Sequence, residues 1–239
     1  GVEHALVNAY KLKNKFDRED NFSEAVKYFF IDSYKHVFNM VDYSVWLGLL
    51  IQFLNLQRTF YWNYTDVFIM VIGSVLTYKL KQISKKIQDT ATSRVNDVVS
   101  WKIIRKDYVR IAELCHVVNE TISGVIITCF LMDLYFVLLQ LYKSLRPIES
   151  VIEKVYFYIS FGLLLLRIFC LCIFGGAVFE EWKDIRFYLN TIATSAYNLE
   201  IERLTNHVAT WELSLSGKNF FSISRGLILQ MAGAIVTYE

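Results

Sequence analysis

The chain has 239 residues, of which 54% are hydrophobic, 16% aromatic and 20% charged, with a single proline and a mean hydropathy of +0.33. Soluble domains average about 45–50% apolar and about 25% charged residues, so this balance leans away from a soluble domain and towards a membrane protein. The net charge of +2 gives no basis for nucleic-acid binding.

Residue 1 is glycine, and the pattern of basic head, apolar core and small cleavage site that marks a signal peptide is not found. Both ends read as truncated, which makes the chain the C-terminal part of a longer protein. Four cysteines, Cys115, Cys129, Cys170 and Cys172, fall in or beside apolar runs rather than at zinc-site or disulfide-framework spacings. They read as buried small hydrophobes. No metal and no cofactor is expected.

In chain order, residues 1–16 start apolar (Val2, Ala5, Leu6, Val7) and turn basic (Lys11, Lys13, Lys15), as the end of a transmembrane helix would. Glu3 and His4 inside it would face a cavity or a partner, or lie near the interface. Residues 17–59 form a segment outside the membrane, with a membrane-associated helix marked by Phe22, Ala25, Val26, Phe29 and Phe30 at helical spacing. Asn21-Phe22-Ser23 is a permissive glycosylation sequon there. The piece 41–57 is apolar but interrupted by Asp42, Gln52, Asn55 and Gln57, and the residues alone leave open whether it extends the next helix or dips into the outer leaflet. Residues 60–83 read as a transmembrane helix. Its aromatic belt, Tyr61, Trp62 and Tyr64, suits the outer interface, and Lys79, Lys81, Lys85 and Lys86 suit the inner one.

Residues 84–116 carry Lys85, Lys86, Arg94, Lys102, Arg105, Lys106 and Arg110, which the positive-inside rule places in the cytoplasm. Ile104, Tyr108, Ile111 and Leu114 keep a helical stripe, so the next helix begins well before the membrane. The span 117–142 holds Asp133 at mid-depth, where a carboxylate costs several kcal/mol unless it is paired or lines a wet cavity. After a loop with Pro147, the span 155–179 carries Arg167, at a depth comparable with that of Asp133, and the two are expected to pair. Residues 180–219 form a cytoplasmic helical segment with the stripe Leu199, Ile201, Leu204, Val208, Trp211 and Leu215. From Gly226 to Val236 there is no formal charge, and about 15 apolar residues fall short of the roughly 20 a span needs, so 220–239 reads as the truncated start of a last helix.

This last stretch also carries a resemblance. Thr237-Tyr238 matches the first half of the signature of the last transmembrane helix of arthropod gustatory receptors: Thr-Tyr, apolar-biased positions, then Gln-Phe. Its approach, Ser216-Gly217, Phe220-Phe221 and Arg225, is similar to the sugar-receptor branch, as is the pair Glu3-His4. Asp133-Leu134-Tyr135-Phe136 resembles that branch too, with Asp133 standing where Asn is usual. The resemblance implies an all-α polytopic helical bundle of the seven-transmembrane insect chemoreceptor type, of which about four and a half spans are present. It also implies a cytoplasmic N terminus for the whole receptor, one true span at 60–83, subunits gathered by 180–219 into a tetramer, and a pore lined by the last helix. Gln230, Thr237 and Tyr238 are then its pore and signature residues.

No catalytic constellation is found: there is no phosphate-binding glycine loop, no His-Glu-x-x-His and no Gly-x-Ser-x-Gly elbow. An enzyme is not expected. A small polar ligand entering from outside would meet Trp46, Gln52, Asn55, Trp62, Asn63, Asp66, Asp133 and Gln140. Aromatic rings covering C–H faces and amides or carboxylates bonding hydroxyls suit a sugar. The expected protein is therefore a sweet-taste receptor of the plasma membrane: a sugar-gated, non-selective cation channel whose partners are sugars, lipid and its own or related subunits. The competing classes are a seven-helix receptor signalling through a G protein, a receptor for a non-sugar tastant, and a transporter.

Overall fold

The computed structural model describes residues 22–92, 98–144, 151–193 and 197–237. Among the described residues seven helices follow in order: α1 (Phe22–Ser33), α2 (Lys35–Phe38), α3 (Val45–Thr92), α4 (Val98–Ser144), α5 (Val151–Asn190), α6 (Leu199–Thr210) and α7 (Arg225–Thr237). Among the described residues, the only β pairing is an isolated bridge between Ser216 and Ser222. Residues 1–16 and Asn21 lie outside the described residues, as do Glu3, His4, Pro147 and Tyr238.

The three long helices run for 48, 47 and 40 residues. At 1.5 Å per residue each reaches about 60–70 Å, twice the roughly 30 Å of a hydrocarbon core. Each carries a window apolar enough to cross a membrane. Leu131 and Leu138 on α4 and Leu163 and Leu166 on α5 are exposed, whereas Ile126, Val137, Leu171 and Val178 are completely buried. Exposed leucines at span depth are what lipid contact requires.

Helix ends differ from the sequence boundaries. α3 takes in 45–59 as well as 60–83, because Gln52, Asn55 and Gln57 are good enough helix residues to leave the hydrogen-bond ladder intact. α5 continues past 179 to Asn190. The helical stripe expected to reach Leu215 stops at Thr210, and the last helix starts at Arg225.

The chain divides into two compact units, Gly1–Tyr64 and Thr65–Glu239. In the first, the Phe30 ring lies against Gly48, where an added Cβ would meet it at 2.8 Å. Tyr34 Oη donates to Gln52 Oε1 at 2.7 Å and accepts from Asn55 Nδ2 at 3.4 Å, which joins the α1–α2 segment to α3.

In the second unit α6 packs its apolar face, Ile201, Leu204 and Val208, completely out of solvent. The Asn198 side chain caps its N terminus by accepting from Glu200 N and Ile201 N, both at 3.0 Å. Trp182 Nε1 of α5 donates to Val208 O at 3.1 Å, and Arg105 Nε of α4 donates to Glu200 Oε2 at 2.8 Å. The Arg105 hydrogen bond, with Arg203 adding to it, holds the Glu200 carboxyl below its usual pKa. A depressed carboxylate stabilises the fold above its unfolded pKa of about 4.3, and that stabilisation is lost as pH falls through the lower, folded value. The protection factor of the α6 amides in the full-length protein, which corrects for the intrinsic pH dependence of exchange, should therefore stay flat from neutral pH down to about 4.3 and fall below it. Glu200→Gln should remove this acid-side step; an unchanged step in that variant would refute the assignment.

Between α6 and α7 the chain turns back on itself. Ile223 N donates to Leu215 O at 2.7 Å, Gly217 N to Phe221 O at 3.0 Å, and Lys218 and Asn219 take left-handed φ values of 51° and 61°. Ser and Asn side chains compete with the helix ladder for backbone groups, which explains why helical periodicity fails here. Asn119 of α4 holds the turn: its Oδ1 accepts from Ser216 N at 2.7 Å and its Nδ2 donates to Ser216 Oγ at 3.0 Å. Phe221 packs edge-on against Phe130 with centroids 5.0 Å apart. The Ser216-Gly217 and Phe220-Phe221 residues thus form the hairpin that leads into α7.

Candidate functional site

The most concentrated chemistry lies where α3, α4 and α5 meet. Asp66 comes from α3, Cys129 and Asp133 from one face of α4 at i, i+4 spacing, and Arg167 from α5. Asp66 is 2% exposed and Asp133 is completely buried. Arg167 Nε donates to Asp66 Oδ2 and lies 3.9 Å from Asp133 Oδ1, and Cys129 Sγ donates to Asp66 Oδ1 at 2.6 Å.

Two carboxylates and one guanidinium leave a formal charge of −1 at a largely buried site. Removing charges from water is costly, and mutual attraction offsets that cost only while every partner stays in place. The ligand atoms of Asp66, Cys129 and Asp133 all lie within 4.8 Å of one another, close enough to hold a metal ion. Arg167 already supplies positive charge there, so the cluster is neutralised in part without one.

A second polar rung lies about 10 Å along the same helix pair, two turns from the first. Gln140 Nε2 of α4 donates to Ser160 Oγ of α5 at 3.0 Å. Gln140 is seven residues after Asp133 and Ser160 seven before Arg167, as antiparallel neighbours require.

The expected sugar contacts divide between the two units. Trp46 is 82% exposed, Gln52 accepts from Tyr34, and Trp62 is half-buried, all in Gly1–Tyr64. Asp66, Asp133 and Gln140 belong to the rungs of the other unit. Gln230 is exposed on α7, and Thr237 is the last residue of that helix. Sequence reasoning missed Cys129, read only as a small hydrophobe, together with Ser160 and Asn119. The i, i+4 spacing of Cys129 and Asp133 was a visible sign for the first; the others depend on which helix lies opposite.

Long apolar helices joined inside by paired charges define a multi-pass helical membrane protein. The chain belongs to the trehalose receptor family, whose sequence profile matches residues 2–239, and this is a family of receptors rather than of enzymes. It is similar to three proteins of Drosophila melanogaster: the gustatory receptor for sugar taste 64f, the gustatory receptor 5a for trehalose and the gustatory receptor for sugar taste 64a. Identities are 31%, 30% and 34%, covering 91%, 91% and 87% of this chain and 46%, 49% and 45% of the relatives. The chain thus spans about half the length of the curated relatives it matches. Among solved structures it is similar in fold to the insect olfactory receptor OR5 from Machilis hrabei in complex with eugenol. That match has a TM-score of 0.59 at 22% identity, covering 72% of this chain and 45% of the other.

Proposed function

We propose that the chain is part of a sweet-taste receptor of the plasma membrane: a sugar-gated, non-selective cation channel assembled as a tetramer of itself or related subunits. The observation that carries this reading is the family match over residues 2–239, together with relatives named for sugar taste and for trehalose. Residues 84–116 then face the cytoplasm, and α7 begins the pore-lining helix, with Gln230 and Thr237 on it and Tyr238 the next signature residue in the sequence. In this reading the protein acts by binding and gating, in keeping with a family of receptors.

Trp46, Gln52, Trp62, Asp66, Asp133 and Gln140 are the proposed determinants of sugar response. Asp66, Asp133 and Gln140 are bonded within the protein, so hydroxyls acting on them exchange one set of hydrogen bonds for another. Sugar then shifts the closed–open balance by no more than its differential affinity for the two states. Replacing a single such polar group, as in Gln140→Ala, should raise the half-maximal sugar concentration by about fivefold, the effect of one net hydrogen bond of about 1 kcal/mol. An unchanged dose–response curve would remove Gln140 from the set. Asp66→Asn is the informative variant at Asp66, because Asp66→Ala also strands Arg167.

The deciding experiment is patch-clamp recording from cells expressing the full-length receptor, with mono- and disaccharides applied outside. A sugar-evoked cation current that persists with G-protein signalling blocked is expected. A response lost under that block would overturn the channel reading in favour of a G-protein-coupled receptor.

A further inference from the structure

Far along α4 from the buried cluster lies a second concentration of charge, outside the residues proposed to respond to sugar. Arg105 of α4 and Arg203, Asn206, His207, Thr210 and Trp211 of the α6 end line an open cleft of about 440 Å3. None of these lining residues is acidic. The acid bonded to the arginines is Glu200, and both its oxygens are taken: Oε2 by Arg105 Nε at 2.8 Å and Oε1 by Arg203 Nη1 at 3.0 Å.

One carboxylate therefore holds two guanidiniums, which leaves a positive charge in excess. Each guanidinium has five N–H donors and uses one of them here, so most of the fork of each remains available. The side chain of Arg203 is 54% exposed, and Trp211 is 46% exposed with His207 edge-on to it at 6.3 Å. Planar guanidinium forks are matched in shape and charge to phosphate oxygens, and the indole supplies an apolar wall beside them. The volume falls within the range of about 300–1,000 Å3 typical of small-molecule sites.

We propose that this cleft binds a soluble phosphate-bearing anion, held between Arg105 of α4 and Arg203 and His207 of α6. A lipid headgroup is the other source of the same chemistry, and helix geometry disfavours it. Arg105 precedes Val117, where the expected span starts, by twelve residues of unbroken helix. That is about 18 Å at 1.5 Å per residue, more than twice the Debye length of about 8 Å at physiological salt. An anion bridging α4 and α6 would clamp α6. The chain runs from α6 through Trp211 into the hairpin held by Asn119, and from there into α7. Phosphate occupancy in the cleft would thereby bias the helix proposed to line the pore.

The test uses the purified full-length receptor in phosphatidylcholine nanodiscs, titrated with pyrophosphate and followed by calorimetry and by amide exchange of α6. Saturable binding that slows exchange across Leu199–Thr210 is expected, and Arg203→Gln should weaken it by about tenfold or more. Absence of saturable binding, or equal binding by Arg203→Gln, would overturn the proposal. Protection of α6 only in nanodiscs containing phosphatidylinositol bisphosphate, with pyrophosphate inert, would also overturn it and assign the cleft to a lipid headgroup. Because the readouts are binding and exchange, these failures leave the sugar-channel reading untouched.

Discussion

Arg167→Met will cost the protein about 3–5 kcal/mol, the penalty for removing one partner of a buried ion pair and leaving its carboxylates uncompensated. Asp66 loses its Nε–H donor, Asp133 loses the nearby positive charge, and the cluster goes from a formal −1 to −2. The full-length receptor in detergent should melt well below the unsubstituted protein and reach the cell surface poorly. Adding Asp66→Asn and then Asp133→Asn returns the cluster stepwise to −1 and to zero, and stability should recover at each step. Asp133→Asn alone should be tolerated or stabilising, because it takes the cluster to neutrality. An Arg167→Met protein with an unchanged melting temperature would show that the three helices are not held by this cluster.

The second large effect is expected at Gly73. A Cβ there would lie 2.5 Å from Phe174 O and 3.0 Å from Gly175 Cα, so the backbones of α3 and α5 nearly touch. Both obstacles are main chain and cannot rotate aside. Gly73→Ala must push the helices apart, at about 1–3 kcal/mol or more for overpacking. In a membrane, where lipid is as apolar as leucine, close approach at small residues is a main source of helix affinity. Gly162 on α5 is the control, since nothing lies within 4 Å of its added Cβ. Gly162→Ala should be neutral or gain up to about 1 kcal/mol from helix propensity. Equal melting temperatures for the two variants would refute the close approach.

The segment that fooled helical periodicity shows where reading the chain locally fails. Ile201, Leu204 and Val208 are spaced as a helix face and form one, whereas Leu199 is exposed and the same spacing continues through Trp211 and Leu215 past the end of the helix and into a hairpin. Periodicity reports which residues avoid water; it does not report that Asn119, nearly a hundred residues earlier, supplies the hydrogen bonds that make a turn at Ser216 cheaper than another turn of helix.

Composition and the run lengths of apolar residues were enough to establish a helical membrane protein, because the need to satisfy every backbone group in lipid leaves a helix as the simplest solution for such runs. The charge pattern identified Asp133 and Arg167 as residues requiring partners, since the cost of an intramembrane charge is set by depth, and depth is a count along the chain. The third member was beyond that count. Asp66 sits at the head of its own apolar run and reads equally well as a ligand contact. Cys129 reads as filler. Which side chains meet is decided by the rotation of each helix about its axis and by the contact at Gly73 that sets how near the helices come. Those are properties of three helices packed together, so only the tertiary structure could bring Asp66, Cys129, Asp133 and Arg167 into one cluster.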